Sequence, residues 1–348
     1  MAARQPDFDI VVLGAGPAGC ATAILAAQNG LRIALLEREV FPRHRPGETL
    51  HPGVEPLLRQ LGLDCALLSA GFLRHRGNWV RWPSELRFEP FGEDDGGSWL
   101  GFQAWRASFD ALMLERAREL GVEILQPCHA TELLRDAAGV TGFQTQDGPV
   151  TARISIDAAG GGHWLARKLA LQIKRYSPQL ITRFGYVLGD CPVRDDAPAL
   201  VADEAGWTWT ARVQPGRYQW TRLSWLKHHQ KPGPPNELHK LAPEGPMRAA
   251  DVTWRMVTKP AGPGYFLVGD AAAVLDPASS HGVLKALMSG MMAAHFGGKV
   301  VRNEVPEQES SFAYGKWLGD WFEKDVARLR ELYSQLPHCD WLSRNNFD

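Results

Sequence analysis

The sequence predicts an α/β fold: a Rossmann-like dinucleotide-binding domain with an inserted antiparallel β-sheet domain and C-terminal helices. Three observations predict it. A glycine-rich turn joins two apolar runs near the start, "DIVVLGAGPAGCATAILAAQNGLRIALLE". Two interior stretches alternate polar with aromatic or β-branched residues, "GNWVRW" and "LRFEPF" in the first, "GWTWTARV" and "RYQWTRLSW" in the second. A late stretch carries apolar residues at helical spacing.

Taken in order, Ile10 to Leu13 is a short unbroken apolar run, the pattern of a strand buried on both faces. Gly14, Gly16 and Gly19 follow as G-x-G-x-x-G. The first permits the tight turn, the second lets backbone approach a pyrophosphate, and the third lets the next helix pack on the strand. That helix, Ala18 to Ala27, is built of small residues, and its N-terminus offers free N–H groups and a positive dipole end to phosphate. The second strand ends in Glu37, placed roughly 20 residues on, where an acid reaches a ribose diol. "WRASFDALMLERARELGVEIL" reads as an amphipathic helix with Phe109, Leu112, Met113, Ala117 and Leu120 on one side. The alternating stretches read as an antiparallel sheet standing over the nucleotide, with inward aromatics walling a site. "QKPGPPNELHKLAPEGP" reads as a loop, too polar and broken for core, exposed or acting as a lid. Residues 308–335 read as a helix with Phe312, Trp317, Trp321, Val326 and Leu329 on its apolar side. The expected division is residues 1–75, 105–167 and 255–300 for the nucleotide domain, 76–104 and 168–254 for the substrate domain, and 301–348 for a C-terminal helical segment.

Composition narrows the function classes. Apolar residues make up 45% and charged residues 22% of 348, the balance of a soluble globular chain long enough for two domains. A net charge of −1 gives no electrostatic case for nucleic acid or an anionic membrane. No run reaches membrane-spanning length and the start lacks a signal-peptide pattern. The five cysteines are scattered, without metal or redox spacing, which points to a reducing, cytoplasmic setting and to no metal site. Thirteen tryptophans concentrate between Trp79 and Trp105 and between Trp207 and Trp225, which suggests an aromatic-lined chamber; core filling accounts equally well for any one of them.

The stretch "YFLVGDAAAVLDPASSHGVLKALMSG" decides between dinucleotides, through a resemblance. Together with the glycine turn it resembles the FAD-dependent monooxygenases of the para-hydroxybenzoate hydroxylase fold, in the branch of tryptophan halogenases and geranylgeranyl reductases. The resemblance covers roughly residues 7–295. It implies that Gly269 and Asp270 end a strand at the flavin ribityl chain, and that Pro277 and Gly282 shape a loop beside the isoalloxazine. It also implies that the helix opening at Val283 aims its positive end at the flavin's pyrimidine edge, where reduced flavin is anionic. By the same resemblance "FPRHRPGETLHPG" lies near the cofactor, with Arg43 and Glu48 as contacts and Arg38 beside Glu37, and Arg106 opens the helix that meets the phosphates. "DAAG", from Asp157 to Gly160, matches the family's third motif except for Ala159 in its usual polar position.

The implied chemistry is flavin monooxygenation, in which reduced FAD and O2 give a C4a-hydroperoxide that oxidises an electron-rich ring. His281 and His51 are the candidate acid/base groups. Loop structuring is the alternative for His281 and a surface helix start for His51; Arg212 is either a substrate anchor or a surface residue. Electrons come from NAD(P)H or a separate flavin reductase. The substrate is an aromatic small molecule or a tryptophan side chain in a partner protein, the latter because the chain also resembles flavoproteins of tryptophylquinone maturation. The branch's halogenases carry a Gly-Trp-x-Trp-x-Ile-Pro motif, here "GWTWTAR", a lysine in the first third of the chain and a catalytic glutamate. This chain has no lysine before Lys168 and places Ser279 at that acid, which argues against halogenation. Reduction of isoprenoid double bonds and a non-catalytic, FAD-binding accessory role remain as alternatives.

Overall fold

A computed structural model describes residues 6–225 and 233–343. The first layer is an eight-stranded sheet whose parallel heart runs Glu123–Leu125, Ile33–Leu36, Phe8–Leu13, Gly148–Asp157, Tyr265–Leu267. Strand Gly148–Asp157 also extends into an antiparallel ribbon with Val140–Thr145 and Ala130–Arg135. The unbroken apolar runs fit this placement: Ile10, Val11, Val12, Ala34, Leu35 and Leu36 are fully buried.

Register explains how segments far apart in sequence meet. Leu13 lies opposite Asp157, and Asp157 opposite Leu267. Three parallel strands therefore end side by side, and Gly14, Ala158 and Val268 leave the sheet at one level. Backbone bonds from Ala158 N to Leu13 O (2.8 Å) and from Val268 N to Asp157 O (3.0 Å) hold that edge. Helices Pro17–Gln28 and Gly282–Val301 cover one face and touch closely, with Thr22 Oγ1 donating to Gly290 O at 3.1 Å.

The second layer is a seven-stranded sheet of Ala242–Asp251, Ile181–Leu188, Arg217–Ser224, Gly206–Gln214, Ala199–Asp203, Gly77–Arg81 and Arg87–Pro90. It is antiparallel except where Ala199–Asp203 lies parallel to Gly77–Arg81, because those strands come from separate excursions of the chain. Its inner face carries Thr182, Phe184, Tyr186, Trp207, Trp209, Ala211, Gln219 and Thr221. The outer face carries Val187, Tyr218, Trp220 and polar residues, and residues 191–195 and 237–241 cover it.

Two expectations change here. In the described part of "QKPGPPNELHKLAPEGP" residues 233–241 are loop as expected, but Leu238 within them is fully buried rather than exposed, and Ala242–Asp251 is an edge strand. Residues 226–232, including Gln230 to Pro232 of that stretch, lie outside the described residues. The C-terminal helix runs Glu307–Ser334, but its buried side is Tyr314, Leu318, Phe322, Val326, Leu329 and Tyr333, while Phe312 is 73% exposed. The helix buries its tyrosines, which the apolar count left out. Among the described residues no helix is long and apolar enough to cross a membrane.

Candidate functional site

A cavity of about 970 Å³ opens where the three strands end and extends under the inner face of the second sheet. It is walled by Gly14, Gly16, Glu37, Arg38, Arg43, Glu48, His51 and Arg106 from the first half of the chain, and by Gly269, Asp270, Pro277, Gly282 and Val283 from the second. Gly19 and His281 stand outside the wall. Gly19 sits where a Cβ would fall 1.9 Å from Gly14 O, so it permits the close packing of helix on turn.

At one end the geometry fits a diphosphate. Gly14 has φ +103, and a Cβ there would meet Ala158 O at 2.6 Å. Gly16 caps helix Pro17–Gln28 with no side-chain cap, and the proline at the first helical position suits that free terminus. A Cβ on Gly16 would lie 3.5 Å from Arg43 Nη2, so Arg43 stands over the glycine turn. Its Nε is buried without a hydrogen-bond partner, and Nη2 lies 3.4 Å from Asp110 and 3.9 Å from Glu37. The Arg106 guanidinium is committed otherwise: Nε and Nη2 donate to the two oxygens of Asp110 at 2.9 and 3.0 Å, and Nη1 to Pro46 O at 2.8 Å. Arg43 thus stands over the glycine turn with an unspent donor, while three of the five N–H groups of Arg106 hold Asp110 and the preceding loop in place. Glu37 accepts from Ala15 N at 2.8 Å and Glu39 N at 2.9 Å, which fixes its carboxylate at the wall. Arg38 is 63% exposed at the rim.

Further along, Asp270 projects into the cavity, and its carboxylate makes no hydrogen bond with a described residue. Enclosure raises its pKa, opposed by Arg255, Arg106 and Lys285. An acceptor held free beside the chain-end glycines suits a polyol. The loop Leu275–Ser280 follows, then helix Gly282–Val301, whose first turn contains no acid to compete for its positive end. Asp157 does not face the cavity; its carboxylate accepts from Ala159 N and Leu165 N, both at 2.8 Å, and shapes the Ala158–Gly162 wall.

The other end is bounded by Asn78, Phe91, Thr182, Phe184, Trp209, Gln219 and Thr221. Glu48 is buried, accepting from Tyr186 OH at 2.5 Å and Gly47 N at 2.9 Å; burial raises its pKa. Rather than contacting a ligand freely, it ties its loop to the second sheet. His51 Nδ1 accepts from Gly53 N at 3.0 Å, which leaves the ring proton on Nε2. Its ring packs edge-on against Phe91 at 5.5 Å and His281 at 5.2 Å. Burial lowers both histidines, His281 to about 4, so both are neutral at pH 7 rather than poised near it as expected.

The tryptophan expectation is corrected as well. Trp164 and Trp209 are the tryptophans on the wall; Trp82, Trp225, Trp254 and Trp341 pack around Tyr333, which bonds Trp207. Indoles are large enough to fill the seam between sheet and C-terminal helix, and alternation cannot tell a seam from a chamber. Arg212 lies on the outer face, 3.5 Å from Asp195, away from the cavity. Sequence reasoning missed Asn78, with its buried Oδ1 unpartnered, and Phe91. Neither sits in a pattern that distinguishes it.

A glycine turn, a free acid at a parallel strand end and an uncapped helix terminus around one elongated cavity define a flavoprotein of the FAD-dependent oxidoreductase class. The chain belongs to the FAD binding domain family, whose sequence model matches residues 7–215. It is 27% identical over 337 residues to a tryptophan 2-halogenase of Chondromyces crocatus, covering 85% of this chain and 62% of that protein. It is 27% identical over 355 residues to digeranylgeranylglycerophospholipid reductase 2 of Methanopyrus kandleri, covering 92% and 84%. The fold matches that of the myxobacterial chondrochloren halogenase CndH with a TM-score of 0.85 at 23% identity, over 99% of this chain and 87% of the other. The halogenase and reductase branch is the one the motifs resemble.

Proposed function

We propose that this protein is an FAD-dependent monooxygenase that hydroxylates an electron-rich aromatic ring. The ring belongs to a small molecule or to a tryptophan side chain of a partner protein. The observation that carries the reading is the wall of the cavity: residues fitting FAD continue into Phe91, Phe184 and Trp209, and no lysine is among the described residues that line it.

Bound FAD, once reduced by NAD(P)H or supplied reduced by a separate reductase, brings the chemistry of O2 activation. The chain's own residues bind and orient. Gly14, Gly16 and Arg43 hold the diphosphate, Glu37 and Asp270 accept from hydroxyl groups, and helix Gly282–Val301 sets its positive end against the ring system. Phe184 and Trp209 give the substrate ring an apolar seat and keep water out. His51 donates through Nε2 to a substrate oxygen. His281, outside the wall, packs edge-on against the His51 ring at 5.2 Å and helps hold it in place.

Halogenation is the second reading, and the relatives support it better than they support hydroxylation, since halogenases predominate among them. The lysine-free wall is the reason hydroxylation ranks first. Thr182, Gln219 and Thr221 on the wall argue against an isoprenoid tunnel. The test is single-turnover oxidation of the reduced holoprotein with O2 in the presence of bromide or chloride and a panel of indoles, phenols and tryptophan peptides. Mass spectrometry showing gain of one oxygen atom is the expected result. Halogen in the product establishes the second reading, and flavin re-oxidation without any product leaves an accessory flavoprotein.

A further inference from the structure

We propose that Tyr333 of the C-terminal helix is a positioning residue of the flavin site, acting through Asp276 on the loop that walls the cavity. This rests on the reading of the cavity as an FAD site. Both residues lie beyond the stretch matched by the family's sequence model.

Asp276 is completely buried, yet it belongs to the cavity wall. Its Oδ2 accepts from Trp254 Nε1 at 2.6 Å and Tyr333 OH at 2.9 Å, its Oδ1 from Ala278 N at 2.9 Å, and its backbone carbonyl from Ser279 N at 3.1 Å. Three neutral donors and no hydrogen-bonded cation satisfy the carboxylate. Tyr333 is also fully buried, and its one hydroxyl is used twice: it accepts from Trp207 Nε1 at 2.7 Å and donates to Asp276. Four further indoles, of Trp82, Trp225, Trp254 and Trp341, surround the ring at centroid distances of 5.5 to 5.9 Å.

A phenylalanine would fill this apolar nest without the desolvation that a buried carboxylate and hydroxyl carry. Placement accounts for the polar pair better than stability does. The acid sets the turn from Leu275 to Ser280, immediately before the helix whose first residues, Gly282 and Val283, line the cavity. The C-terminal helix is therefore a structural part of the flavin site.

The experiment compares the full-length holoprotein with Tyr333→Phe, and with Trp207→Phe as a control that leaves the Tyr333–Asp276 bond intact. FAD affinity, the flavin's visible circular dichroism and its midpoint potential are measured along with thermal stability. Loss of one hydrogen bond at the loop predicts an about fivefold weaker FAD complex for Tyr333→Phe, with altered flavin dichroism and potential. Trp207→Phe should lower stability but keep the wild-type flavin signature. If Tyr333→Phe loses only stability, the positioning role is overturned. If that variant does not fold, Asp276→Asn is read by the same dichroism and potential, and an unchanged signature overturns the proposal. A wild-type chain that binds no FAD refutes the flavin-site reading itself, an outcome separate from these.

Discussion

Replacing Arg43 and Arg106 one at a time separates a ligand-binding arginine from a structural one. The Arg43 side chain is 9% exposed, faces the glycine turn and leaves Nε without a partner; Asp110 at 3.4 Å is a longer contact than a full ion-paired hydrogen bond. A hydrogen bond to a charged group contributes about 1.5–3 kcal/mol, so Arg43→Ala is expected to weaken FAD binding about 10- to 150-fold. Thermal stability without ligand should change little, because Arg106 keeps both oxygens of Asp110 satisfied. Arg106→Ala does the opposite: it strips the bidentate partner from a fully buried carboxylate, and breaking such a pair costs about 3–5 kcal/mol. Its effect should appear as a large fall in melting temperature of the apoprotein. The assay is fluorescence titration of apoprotein with FAD, beside thermal melts without FAD. Wild-type FAD affinity in Arg43→Ala, or weakened FAD binding with an unchanged melt in Arg106→Ala, would refute the division of roles.

Three more outcomes follow from the geometry. Gly19→Ala, which would force a Cβ to within 1.9 Å of Gly14 O, should separate the first helix from its turn and yield insoluble or FAD-free protein in expression trials. His75 is buried with both ring nitrogens unpartnered, and burial lowers its pKa to about 4. The folded state therefore binds that proton less tightly than the unfolded chain, so stability is complete above pH 6.5 and is lost as pH falls toward 4. Urea melts of His75→Leu should show a shallower acid decline, by about 3 kcal/mol across that window. His51→Asn should lower turnover on the productive substrate about 100-fold while leaving FAD affinity unchanged, as measured by steady-state kinetics and FAD titration.

Legibility in the sequence differed between the two ends of the site. The glycine turn and Glu37 were readable because each needs a particular residue at a particular backbone position; the Gly269–Asp270 strand end was legible only through its resemblance to a family motif, and parallel register brings these segments to one edge. The assignment between Arg43 and Arg106 was not, since both arginines reach the wall and Asp110, one turn into the helix, decides which of them is free. The tryptophans misled for a related reason. Alternation shows which side chains share a sheet face, and Trp207 and Trp209 do; it does not show that the C-terminal helix covers one and the cavity lies over the other. Leu238 lay hidden in a Pro-rich stretch because a single apolar anchor has no period. Phe312 was counted as core where Tyr314 is, two residues on.

The central claim is that the turn at Gly14 and the acid at Asp270 grip one flavin from opposite ends of the chain. It is tested most directly by equilibrating the purified protein with excess FAD, removing free flavin and recording the visible spectrum of wild type, Gly14→Val and Asp270→Arg. The account predicts one flavin per wild-type chain and loss of the bound spectrum in each variant. A colourless wild-type protein, or undiminished flavin in either variant that remains folded, would contradict it.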